Sequence, residues 1–351
     1  MRKNKLYLIG LLALALSSCT STGKKQQDTE VTSNAERIIL ETDIGNDVDD
    51  ALALDMLYKY LDAGDINLLG IMINKEGQYP AEYVDIMNTW YGYQIPIGII
   101  HNGADCENDA TNYAKAVCLI RNKNNEPAFK RSLQGGYDQL PEAPTLYRKI
   151  LAQQPDSSVT VISVGFSTNL ARLLDTPADD ISPLTGKELV AKKVKLLCTM
   201  AGCFNNPDLF EYNVVKDIPA AKKVFSEWPT RLVTSPFEVG IAINYPGNSI
   251  ENDFGWAPMH PMVEAYKSYQ QMPYDRPTWD LTSTLYSVEG PSYFNVSPAG
   301  KINVTDKGAT EFTPDAEGNR YYLTVDSIQA ENIKQHFIQL ITKQPAHFNK
   351  Q

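Results

Sequence analysis

The chain has 351 residues, 43% of them hydrophobic, which excludes an intrinsically disordered protein and allows a sizeable buried core. Its formal charge of −10 excludes nucleic-acid binding by general phosphate attraction, though not a site for a small neutral or cationic molecule.

Residues 1–19, MRKNKLYLIGLLALALSSC, set a positive start before an apolar run too short to read as a membrane span. The run ends in Leu16-Ser17-Ser18-Cys19, which looks like the lipobox of a bacterial lipoprotein signal. Removal of residues 1–18 would leave Cys19 lipidated and anchored in a membrane of the cell envelope. It would also take away Arg2, Lys3 and Lys5 and bring the charge to −13. The residues after Cys19 carry no acidic run that reads as a surface-export signal, so the periplasmic face is expected. Residues 19–35 are polar and read as a flexible tether. Residues 36–351 read as a single domain.

The domain begins with the apolar run Ile38-Ile39-Leu40 and then a burst of acid: Glu41, Asp43, Asp47, Asp49 and Asp50. A helix follows to about Asp62, with Gly64 as its stop. Ile66–Ile73 is nearly continuously apolar, the mark of a strand buried on both faces. A helix with Tyr83, Ile86, Met87 and Trp90 on its apolar side leads to a third strand, Ile95–Ile100. This order predicts an α/β fold with an open, mostly parallel, Rossmann-like sheet flanked by helices. Residues 101–140 read as an excursion with one helix near Tyr113–Ile120. Helix 144–153, strand 158–164 and the turn Gly165-Phe166-Ser167-Thr168-Asn169 come next. Val194–Met200 is a further strand, 217–228 a helix, and Arg231–Thr234 a strand. A long Pro-, Tyr- and Trp-rich section, 236–280, precedes short strands near 301–305 and 320–325 and a helix from about Ser327 to Lys343. Of the later cysteines, Cys106 and Cys118 are expected to pair, and Cys198 and Cys203 to be buried thiols.

The acidic loop carries the chemistry. Two carboxylates about 4 Å apart repel by roughly 4 kcal/mol at an effective dielectric near 20. Packed together they need a cation, a donor or a proton. One or two acids would serve as a helix cap; four Asp in eight residues point instead to a hard divalent ion held by oxygen. Ligands in open α/β sheets bind at the carboxyl ends of strands. There the chain places the acidic loop, Asn74, Ser167-Thr168-Asn169, Gly202 to Asn213, and, late in the sequence, Pro277-Thr278-Trp279-Asp280. The loop is not an EF-hand, and no Walker loop, G-x-G-x-x-G or H-E-x-x-H occurs. None of His101, His260, His336 and His347 lies beside an obvious nucleophile.

DIGNDVDDALAL resembles the signature loop of the inosine–uridine preferring nucleoside hydrolases, D-x-D-x-G-x-D-D-A. GFSTNLARLL resembles that family's G-x-L-T-N-L-A segment. Glu211-Tyr212-Asn213 with Asp217 and Ala220-Ala221 resembles its E-x-N…D-P-x-A-A segment, and Asp280 takes the place of its late aspartate. The resemblance implies a Ca2+-dependent N-glycosyl hydrolase acting on a nucleoside or other riboside. It implies Asp43 as calcium ligand and base, Asp50 and Asp280 as further ligands, and Thr168 as a ligand through its carbonyl. It also implies Asp49 on a ribose hydroxyl, Glu211, Asn213 and Asn205 or Asn206 on the sugar, and Asn88 as a structural residue. The loop is two residues longer than the common form, which makes Asp47 an additional candidate ligand. Trp279 stands where family members that cleave purine nucleosides often carry a His as leaving-group acid; a Trp can stack on a base but not donate in that way. Two alternatives stay open: a hydrolase of another glycoside on the same fold, and a riboside-binding lipoprotein without catalysis. The sequence also leaves open whether the protein is a homo-oligomer.

Overall fold

The structure is a computed structural model that describes residues 35–104, 112–133, 135–346 and 348. The expected signal segment, Cys19, the tether up to residue 34, and Cys106 lie outside the described residues.

Six strands form the parallel centre: β1 (Glu36–Thr42), β2 (Ile66–Ile73), β3 (Ile97–Gly98), β4 (Val159–Ser163), β5 (Val194–Met200) and β6 (Arg231–Ser235), in the order 3-2-1-4-5-6. The chain leaves β1 towards β2 and β3, then returns to place β4 on the other side of β1. The carboxyl ends of β1 and β4 therefore border the point where the winding reverses, the crevice in which such sheets bind ligands. A small antiparallel pair, β7 (Asn244–Tyr245) and β8 (Arg276–Pro277), lies apart from the main sheet. Beyond β6 the sheet turns mixed: β12 (Arg320–Thr324) pairs parallel to β6, while β9 (Asn295–Val296), β10 (Gly300–Val304) and β11 (Thr310–Pro314) run antiparallel to their neighbours.

The continuous apolar runs follow from burial on both faces. Successive strand side chains point to opposite sides, and Ile38 and Leu40 enter one core while Ile39 enters the other. The first core is closed by the helices Asp49–Ala63, Gln78–Tyr91 and Trp279–Glu289. The second is closed by Ala143–Gln153, Thr168–Asp175 and Ile218–Glu227. Helix Asp49–Ala63 ends where expected, because Gly64 adopts φ 82° and lets its N–H reach back to the last turn.

One expected element changes its bounds. The third strand shrinks to Ile97–Gly98, since β2 is its sole strand partner and Ile99 instead bridges to Glu142. The Pro-, Tyr- and Trp-rich section 236–280, given no elements in the sequence, holds the helices Phe237–Ile241, Gly247–Asn252 and Pro261–Tyr269. Cys118 is a buried free thiol facing the Tyr79 carbonyl at 3.8 Å, and the expected pairing with Cys106 falls on a residue outside the described ones. Among the described residues no helix is long and apolar enough to cross a membrane.

Candidate active site

The end of β1 delivers Asp43 to the crevice, and a turn through Gly45 brings the chain to helix Asp49–Ala63, with Asp49 and Asp50 in its first turn. Helix Trp279–Glu289 starts at the same place, with Asp280 in its own first turn. Two helix N-termini, each carrying partial positive charge, thus face one group of anions. Asp49 accepts from the Asp280 N–H at 3.1 Å, and the Thr42 hydroxyl donates to Asp50. Carboxylate oxygens of Asp49, Asp50 and Asp280 lie within 4.8 Å of one another.

This cluster forms the floor of a cavity of about 500 Å³. Asp43, Asn46, Asp47, Glu211 and Asn213 share its polar side, and Phe237, Tyr269 and Trp279 supply aromatic wall. Phe210 and Tyr212 also line it and are 45% and 43% exposed, so they form a greasy rim rather than a core.

Burial sets the charge state of the acids. It pushes the Asp43 carboxyl up to about 6 against the opposing pull of the Asn46 amide and the Lys75 charge. Burial together with the charges of neighbouring acids pushes Asp49, Asp50 and Asp280 well above the ordinary carboxylate range. Glu211 rises to about 7 through burial, although Asn213, Gly202 and Val214 all donate backbone N–H groups to it. Beneath the cavity, burial lifts Glu41 to about 8, where it accepts from Asn169 at 2.7 Å, Tyr147 at 2.9 Å and Asn74 at 3.0 Å. An assembly of this kind is short of positive charge.

The residues singled out in the sequence divide into two groups. Asp43, Asp47, Asp49, Asp50, Glu211, Asn213, Trp279 and Asp280 all line the cavity. Within that group Asp47 stands apart, since Arg276 holds it with Nε at 2.8 Å and with Nη2 as well. Thr168, Asn205 and Asn206 are not among the lining residues. The Thr168 hydroxyl donates to Asp217 at 2.6 Å, and Asn206 turns its own loop by accepting from the Asp208 N–H at 3.1 Å. Asn205 is exposed and accepts from Cys203 Sγ at 3.4 Å. Asn88 accepts from the Tyr58 hydroxyl at 2.7 Å and donates to the Ile95 carbonyl at 3.0 Å, a purely structural use.

Several contributors were not singled out. Asn46 donates to Asp43 Oδ2 at 2.5 Å while its own Oδ1 takes the Lys75 ammonium, so the amide is oriented from behind. Val164 at the end of β4 lines the cavity, and its carbonyl accepts from Asn213 Nδ2 at 3.3 Å. Arg276 is tied to a surplus acid that the sequence did flag, and an unpaired Asp47 was the available signal for it.

Gly165 keeps the crevice closed behind Asp43. A Cβ there would lie 2.6 Å from the Asp43 N–H nitrogen and 2.7 Å from Asn74 Oδ1. Both neighbours are fixed, so Gly165→Ala should cost about 1–3 kcal/mol of stability by overpacking and displace Asp43. A thermal melt and a turnover assay check this, and wild-type values in both would refute it.

The fold is shared with solved structures at low sequence identity. A plant nucleoside hydrolase is 17% identical, with 88% of this chain and 99% of that one covered at a TM-score of 0.65. The inosine–uridine preferring nucleoside hydrolase of Bacillus anthracis is 15% identical, with 87% and 99% covered and a TM-score of 0.62. A purine-preferring ribonucleoside hydrolase of Gardnerella vaginalis is 14% identical, with 88% and 98% covered and a TM-score of 0.66. No curated protein matches by sequence. The sequence profile of one family does match, over residues 38–335, which span both the acidic loop and the late aspartate. On that match the chain belongs to the inosine–uridine preferring nucleoside hydrolase family of N-ribosyl hydrolases.

Proposed function

We propose that the protein is a Ca2+-dependent ribonucleosidase that cleaves the N-glycosidic bond with water activated by Asp43, giving free base and ribose. The observation that carries this reading is the buried triad Asp49, Asp50 and Asp280 at the floor of an aromatic-walled cavity.

The donor set fits the ion. It is all oxygen, buried and short of countercharge, and a hard cation with six to eight flexible oxygen contacts answers each of these properties. Asp43, Asp50 and Asp280 would hold it by their carboxylates. The main-chain ligand at the end of β4 is Val164 rather than Thr168, because Val164 lines the cavity and Thr168 does not. Bound there, Ca2+ would neutralise the cluster, take the ribose 2′,3′-diol and acidify a water.

The chain's own residues do the rest. Asp49 receives a ribose hydroxyl. Glu211 has three of its carboxylate acceptor sites filled by backbone N–H groups and one left for the sugar. Asn213 gives its amide N–H to the Val164 and Met200 carbonyls, at 3.3 and 3.1 Å, and keeps Oδ1 as an acceptor. Held in this way, the anomeric carbon lies beside the water that Asp43 deprotonates, a proximity effect. The surrounding anions favour a transition state with positive charge on the sugar.

Release of ribose from inosine or uridine, abolished by a chelator and restored by Ca2+, is the expected result. Inactivity on every nucleoside with clear activity on another glycoside would sink it, in favour of a different substrate on the same fold.

A further inference from the structure

A ligand in the cavity meets a one-sided balance of charge. Six carboxyl groups line it, those of Asp43, Asp47, Asp49, Asp50, Glu211 and Asp280, and among the described residues no Lys, Arg or His does. Two cations stand behind this lining. Lys75 is bonded to the Gly45 carbonyl at 3.2 Å and to Asn46 Oδ1, and Arg276 is held by Asp47 through Nε at 2.8 Å and through Nη2. These charges and that of one divalent ion fall short of the lining. What remains calls for protons or for positive charge on the ligand itself. The chain as a whole, at −10, draws cations towards it.

The wall beside the acids is aromatic and firmly held. Trp279 gives its only donor, the indole N–H, to the Phe237 carbonyl at 3.1 Å, so what it offers the cavity is its ring. The Phe237 ring centre lies 5.6 Å from that of Trp279, with the planes inclined by 31°. Gly240 closes the back: a Cβ there would come within 2.3 Å of Trp279 Cδ1, so the indole rests directly on the backbone. The Phe237 N–H in turn donates to the Gly202 carbonyl at 2.8 Å. An aromatic face attracts a cation through its ring quadrupole. Two fixed rings beside a surplus of carboxylates therefore suit one kind of aglycone, a flat ring that carries positive charge.

We infer that the preferred substrates are ribosides of cationic heteroaromatic bases, an N-ribosylpyridinium being the simplest, with Trp279 and Phe237 as the residues that select the charged ring. This deepens the ribonucleosidase reading above and rests on it. The chemistry is favoured as well as the binding. The C1′–N bond breaks with its electron pair going to the ring nitrogen, which thereby loses its positive charge and needs no proton to leave. The oxygen of water bonds to C1′, one of its protons passes to Asp43, and the other stays on the new hydroxyl. Solvent then takes the proton from Asp43, so the cationic riboside and water give ribose, a neutral base and a proton. The departing base is uncharged and no longer feels the attraction that held it, which favours its release.

The test has a binding arm and a turnover arm. By calorimetry with Ca2+ present, the protein should bind 1-methylnicotinamide about tenfold tighter than nicotinamide, its neutral counterpart, and added salt should narrow the gap. Trp279→Leu should narrow it too, as should Phe237→Leu, with a thermal melt to show that each variant is folded. In turnover, kcat/KM on nicotinamide riboside should exceed that on inosine and on uridine by about tenfold or more. Equal binding of the charged and neutral rings would overturn the inference, and so would inosine or uridine cleaved as well as nicotinamide riboside. Wild-type discrimination in both variants would overturn the role of the two rings. Cleavage of none of the three ribosides would instead remove the ribonucleosidase reading on which the inference rests.

Discussion

Asp43→Asn is expected to lower kcat by about 10²–10⁴-fold, the range a positioned base contributes, while the melting temperature holds or rises. The two halves come from one environment. Asp43 is 4% exposed and its carboxyl is pushed up to about 6 by burial. That places it where it can accept a proton near neutrality, but ionising it also adds charge next to Asp50 and Asp280. An amide of the same shape cannot take the proton and removes the repulsion. The replacement fills the same volume, so the cavity wall should persist. Single-turnover ribose release, read beside a thermal melt, checks both halves. A variant with wild-type turnover would end the assignment of the base, whereas loss of turnover with a large drop in melting temperature would mean a disrupted loop.

Much of this was legible because it is local. The run Ile38-Ile39-Leu40 and the strand Ile66–Ile73 announce doubly buried strands by composition alone, and both appear where expected. The acidic loop betrays itself by having more carboxylates than a helix cap can use. What was not legible is either short or distant. The helices Phe237–Ile241, Gly247–Asn252 and Pro261–Tyr269 have five, six and nine residues, too few to show a periodic stripe, and each starts beside a proline that reads as a breaker. Thr168 and Asn206 follow β4 and β5, yet neither lines the cavity. The pairing of Asp47 with Arg276 spans 229 residues, and no spacing rule reaches across that distance.

The apo protein should become less stable as pH rises from about 5 to 8, and Ca2+ should reverse that loss. In the folded state the carboxyls of Asp43, Glu211 and Glu41 lie near 6, 7 and 8, and those of Asp49, Asp50 and Asp280 are raised as well, burial being the largest cause throughout. In the unfolded chain the same groups titrate near 4. Between these limits the folded state binds more protons than the unfolded state, so stability falls with rising pH. The contribution is intact below the unfolded values and is lost as pH climbs through the folded ones. The pair of buried Arg148 and exposed Asp179 works with the opposite sign, since the guanidinium holds Asp179 down at about 2, but its effect is confined to pH below about 4. Ca2+ at a hundredfold excess over its Kd adds about 2.7 kcal/mol to the folded state, and its ligands must be ionised, so the gap between holo and apo protein should widen towards pH 8. Mg2+, which demands a tighter octahedral shell, should stabilise less. Melting curves across this pH range, with chelator and with each ion, decide the matter. Apo stability flat with pH would contradict the charge-starved cluster, and a melting temperature that Ca2+ leaves unmoved at pH 8 would remove calcium from it.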